Sequence, residues 1–109
     1  MQTLVPIGTF EQQARKLLDD GEFDGMLELL AKRPKAGTVI KDTGGLRKVR
    51  IARKGGGKSG GTRVIYYYHN ESKPILLLLI YAKADKENLT AKQKQVLKKL
   101  VEEILGEFS

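Results

Sequence analysis

The chain holds 109 residues, with a formal net charge of +7 and no cysteine. That length favours one domain with a single modest core, and the lack of cysteine excludes disulfides and thiolate metal sites. The longest apolar run, residues 75–82, falls far short of the roughly 20 residues of a membrane span, and residues 1–7 lack the basic start of a signal peptide; a cytoplasmic protein without membrane association is expected.

Residues 3–7 are apolar, and Pro6 confines them to an edge strand or a strand end. Thr9 is placed to cap a first helix carrying Phe10, Ala14, Leu17 and Leu18 at helical spacing. Gly21 interrupts that pattern. A second helix then presents Phe23, Met26, Leu27 and Leu30 on one face and must stop before Pro34.

From Val39 the apolar period changes to two. Over residues 46–53, Val49 and Ile51 share one face while Lys48 and Arg50 share the other. A glycine-rich connection follows at 54–61. Residues 63–69 form the next strand, with Tyr66, Tyr67 and Tyr68 in succession. Tyr67 must face away from its two neighbours, so packing is the simplest role for any one of them. A turn at 70–73 leads into a strand over 75–83, apolar on both faces and therefore central in the sheet. Short connections between successive strands imply an antiparallel meander. Thr90 and Gln93 match a capping box. The last helix then carries Val96, Leu97, Leu100, Val101, Ile104, Leu105 and Phe108 on one face, with Lys98–Glu102 and Lys99–Glu103 as i,i+4 pairs on the other. Helices packed on one sheet give an α+β single domain over 1–109.

The charge is concentrated. Residues 41–63 contain eight basic residues and one acid, Asp42, which equals the whole excess of +7; the remaining chain is balanced. Such a patch fits a polyanionic partner, since neutralised phosphates release counterions. A solvated basic face is the plainer alternative. Gly57-Lys58-Ser59 resembles the end of a phosphate-binding loop, but Ala52 stands where the pattern needs glycine and a strand follows instead of a helix. His69, the one histidine, is a strand-end residue more simply than a catalyst. One histidine without cysteine cannot build a usual zinc site, so no metal and no cofactor are expected.

What remains is a basic constellation: Lys48, Arg50, Arg63 and Lys83 on three strands, with Lys54 and Lys58 on the glycine-rich loop. Cations at strand positions are costly unless they meet solvent or a ligand. RNA carries its own nucleophile, the 2′-hydroxyl. Cleavage needs that hydroxyl deprotonated, the pentacovalent phosphate stabilised and the 5′-oxygen protonated. Arginine and lysine suit the second task; a lysine or a tyrosine could serve the proton transfers.

The strings Gly44-Gly45-Leu46-Arg47-Lys48-Val49-Arg50, the loop from Lys54 through Lys58 to Gly61, Arg63-Val64-Ile65-Tyr66-Tyr67, and Leu79-Ile80-Tyr81-Ala82-Lys83 followed by Leu89-Thr90 resemble the HigB branch of the RelE/ParE toxin superfamily. The resemblance covers about residues 36–105 and is specific as an ordered combination. It implies a RelE-like compact α+β fold with helices on one face of a curved antiparallel sheet. It implies ribosome-dependent cleavage of mRNA, and inhibition by a cognate HigA-like antitoxin with a helix-turn-helix domain. Carried over by position, it makes Lys48, Arg50, Arg63, Lys83 and Tyr81 the catalytic candidates, with Arg47, Lys54, Lys58 and Tyr67 as RNA contacts. Ala84 stands where RelE has a further arginine, and Leu89 and Thr90 occupy the region of its catalytic tyrosine; Tyr81 or Lys83 is expected to supply the missing acid or base. A ParE-like gyrase inhibitor and a non-catalytic RNA-binding module are the alternatives on the same fold.

Overall fold

A computed structural model of the protein describes residues 2–51, 61–85 and 88–108, with 107 and 108 as backbone only. The chain runs β1 (Leu4–Pro6), α1 (Phe10–Leu17), α2 (Asp20–Lys32), β2 (Thr38–Val39), β3 (Leu46–Ile51), β4 (Thr62–Tyr67), β5 (Ile75–Ala82) and α3 (Ala91–Phe108). The strands form one sheet in the order β1-β5-β4-β3-β2. The expected α+β class and antiparallel meander hold from β2 to β5. The sheet is mixed, however, because β1 lies parallel to β5. The two helices between β1 and β2 supply the long crossover that lets the chain return on the far side of the sheet.

The helices do not share one face. Phe10, Ala14, Leu18, Phe23, Met26 and Leu30 of the α1–α2 region bury against Val49, Ile51, Val64, Tyr66, Ile75, Leu77 and Ile80. On the opposite face, Leu46, Ile65, Leu76, Leu78 and Tyr81 meet Val101, with Leu97, Leu100, Ile104 and Leu105 of α3 packed around them. This corrects the one-face expectation. The reason is visible in β5, whose successive apolar residues must be covered on both sides. A register shift at Ile65/Tyr66 takes the β4–β5 pairing from Leu79 directly to Leu77. The bulge residue Leu78 therefore joins Leu79 on the α3 side, adding apolar surface for that helix.

Local signals were right in kind and shifted in place. Both hydrogen bonds of the Thr90/Gln93 capping box form, at 3.0 and 3.1 Å. Thr9 precedes α1 but makes no side-chain cap. The break between the first two helices falls at Leu18 and Asp19. Asp19 and Glu22 form a reciprocal capping box there, and Gly21 lies inside α2. Val96 is exposed, so it stands outside the buried stripe of α3. The expected lysine–glutamate pairs of α3 are not among the ion pairs of the described residues. Between β2 and β3 the chain turns through positive φ at Asp42, Gly44 and Gly45. The buried Thr43 hydroxyl fixes that turn, donating to Ile40 O and accepting from Leu46 N–H.

Candidate nucleic-acid interface

Strand alternation places Lys48 and Arg50 on the α3 side of the sheet, beside the part that α3 covers. Arg50 lies directly across from Arg63, and Arg63 across from Tyr81. Three successive strands thus carry a row of two guanidiniums and a phenol. Arg50 is exposed and Lys48 half-buried, whereas Arg63 is only 8% exposed. An open concavity of about 400 Å³ is lined by Ala36, Thr38, Lys48, Val49, Arg50 and Arg63. β2 pairs only with Arg47 and Lys48, so the edge of β3 at Arg50 is left uncovered by that strand. This short edge strand is what opens the concavity beside the cations.

The Lys48 ammonium donates to the Asn88 side-chain oxygen at 3.0 Å. Asn88 is held from behind: the next residue, Leu89, is buried in the α3-side core, and Thr90 caps α3. Leu89 and Thr90 are thus both spent on structure. Tyr81 is buried in the same core at 7% exposure, one cross-strand step from Arg63. Lys83 follows the end of β5, and its backbone N–H donates to Gly61 O at the entry to β4. It does not line the concavity.

The other expected contacts stand apart. Arg47 points to the opposite face, where its guanidinium donates to Gly37 O at 2.7 Å. Tyr67 packs against the α3-side core at the far end of β4, paired with Leu46. Its hydroxyl lies 3.2 Å from His69 Nδ1, with the two rings stacked. Lys54 and Lys58, with the Gly57-Lys58-Ser59 string, lie outside the described residues.

Sequence reasoning missed Thr38, Ala36 and Asn88. Thr38 could have been found as a β-branched residue just before the period-two stretch. Asn88 carries no local sign, because its partner is 40 positions away. Among the described residues, no group of three or more histidines, cysteines or carboxylates is placed to hold a metal ion. Among them too, no helix is long and apolar enough to cross a membrane. The lining of this concavity offers planar guanidinium donors and an ammonium point charge with no carboxylate among them, a donor set that suits oxyanions.

A family model described as the RelE toxin of the RelE/RelB toxin–antitoxin system matches residues 8–107, through all three helices and β2 to β5. With nearly the whole fold inside that match, the chain belongs to the RelE toxin family, and is the toxin component of a toxin–antitoxin system.

Proposed function

We propose that this toxin is a HigB-like, ribosome-dependent mRNA endoribonuclease that inhibits translation by metal-independent attack of the 2′-hydroxyl. One observation carries the reading: Lys48, Arg50 and Arg63, from two strands, line the same open concavity. The RNA 2′-oxygen loses its proton and bonds to the adjacent phosphorus. The P–O5′ bond breaks, and O5′ takes up a proton. The products are a 2′,3′-cyclic phosphate and a 5′-hydroxyl end. Arg50 and Arg63 face the scissile phosphate and stabilise the charge that grows on its oxygens. Lys48, aligned by Asn88, serves the proton transfers; the Tyr81 hydroxyl is buried one cross-strand step from Arg63, and Lys83 lies outside the concavity. No step needs a metal, since the charge stabilisation comes from guanidinium groups. The ribosome presents the message in the extended form that an open concavity requires. A HigA-like helix-turn-helix antitoxin is the proposed partner that blocks this face.

The test is cleavage on translating ribosomes programmed with a defined message, with the new ends mapped chemically. Cyclic phosphate ends from the wild type, and their loss in Arg50→Ala, are expected. Intact message together with inhibition of gyrase would replace this reading with the ParE-like one. Retained RNA binding without any cleavage would replace it with a non-catalytic module.

A further inference from the structure

A second and larger concavity, of about 700 Å³, adjoins the first. It is lined by Gln2, residues 31–36, Tyr68 and Glu71, and Ala36 forms a wall of both. Its rim carries Lys32, Arg33 and Lys35, all exposed, at the end of α2. Lys32 is engaged by Glu28 at 2.8 Å and answers the negative end of the helix dipole. Arg33 and Lys35 lie beyond it, and neither forms an ion pair with a described residue.

These two cations stand on a fixed ridge. The buried Tyr66 hydroxyl donates to Pro34 O at 2.8 Å and accepts from Gly37 N–H at 2.7 Å. Arg47 holds Gly37 O from the same side. The backbone is clamped on both sides of Lys35 and Ala36, so the ridge that carries these side chains needs no reordering to meet a ligand. Tyr68, half-buried against the α1–α2 core, adds an aromatic wall at the far end.

We propose that the 33–36 ridge and the Tyr68 wall form a flanking subsite for single-stranded RNA. The strand that occupies the Lys48–Arg50–Arg63 concavity continues past Ala36, with its phosphates on Arg33 and Lys35 and a base against Tyr68. The subsite rests on the reading of RNA as the ligand, and it accounts for binding, not chemistry. Such a track gives affinity without sequence information.

The measurement is equilibrium binding of the full chain to unstructured RNA across a salt series, using a short oligonucleotide and a longer one. The double variant Arg33→Ala/Lys35→Ala is compared with Lys92→Ala/Lys99→Ala on α3, which removes equal charge elsewhere. Each lost single-strand phosphate contact lowers the salt slope by about 0.7. The ridge variant should therefore lose about 1.4 from its slope on the longer RNA, with about tenfold weaker binding at moderate salt. The short RNA should bind both variants alike, and cleavage at saturating substrate should match the wild type. Tyr68→Leu, which keeps an apolar side chain against the core, should weaken the longer RNA alone. Equal losses in the ridge and α3 variants would reduce the effect to net charge and overturn the subsite. So would a defect seen only with ribosomes, since that places the ridge on ribosomal RNA. A wild type that cuts message while the ridge variant binds normally sinks the subsite alone. A wild type that binds no free RNA overturns the subsite, whereas the proposed function fails only if the wild type also leaves message intact on programmed ribosomes.

Discussion

The ammonium of Lys48 and the side-chain amide of Asn88 meet at 3.0 Å across 40 residues of sequence. The acceptor is neutral, so it orients the lysine without cancelling the charge that a phosphate needs. Asn88→Ala should lower single-turnover cleavage by roughly tenfold to a hundredfold, the range for a misplaced reacting group. The melting temperature should hardly move, since Asn88 is exposed. Asn88→Asp keeps a partner but adds a negative charge. It should weaken RNA binding most at low salt, where screening is least. Wild-type cleavage by Asn88→Ala would remove Asn88 from the site.

Arg50 and Arg63 are directly opposed on neighbouring strands, yet their surroundings differ. Exposed Arg50 can be truncated without opening the core, so Arg50→Ala is the cleaner probe. It should cost about 10²–10³ in cleavage rate with an unchanged melting curve. Arg63 is buried, and Arg63→Ala should lower thermal stability as well as rate. Arg63→Lys keeps the charge but loses the planar fork, and should separate the two effects by slowing cleavage more than it destabilises. Both arginine variants cutting at the wild-type rate would end the phosphate-stabilising assignment.

A site built from lysine and arginine should be indifferent to transition metals. Phenanthroline treatment at constant magnesium, with ribosomes intact, should leave the cleavage rate unchanged. Activity lost to the chelator and restored by zinc or manganese would refute 2′-hydroxyl attack without a metal.

Tyr66 provides a stability test independent of function. Burial pushes its phenol above the ordinary value of 10, outweighing the Gly37 hydrogen bond and the Arg47 charge that pull it down. The unfolded chain then ionises first as the pH rises. The stability Tyr66 confers is complete below about pH 10 and is lost progressively above it. Tyr66→Phe should lack that share of the alkaline loss. At neutral pH it should be weaker by about 1–3 kcal/mol, because Gly37 N–H and Pro34 O lose their partner. Chemical denaturation at neutral pH and above pH 10 reads both effects.

Gly37 completes the same clamp. An added Cβ would lie 2.8 Å from the Tyr66 ring and 2.9 Å from Lys48 O. Gly37→Ala should cost about 1–3 kcal/mol through overpacking. It should also disturb RNA binding, because the ridge beyond it shifts. An unchanged melting temperature would show that the ridge has slack.

The local elements were legible because their causes are local. Period-two alternation at Lys48–Ile51, the Thr90/Gln93 cap and the two-sided apolar run of β5 all act within a few residues. The basic strand cluster could be read for the same reason, since alternation alone puts Lys48 and Arg50 on one face. Three things were settled only by the tertiary structure. Alternation already sets Arg47 on the face opposite Lys48 and Arg50, but that its guanidinium there holds Gly37 O came only from the packing. Arg63 reads as a solvent-facing cation, but pairing between Arg50 and Tyr81 in a three-strand row buries it. Asn88 gains its place beside Lys48, and the 33–36 ridge its clamp by Tyr66 and Arg47, from long-range packing. A residue's own sequence neighbourhood sets its conformation and face; which distant group it meets depends on sheet order and register, and these minimise the energy of the whole core.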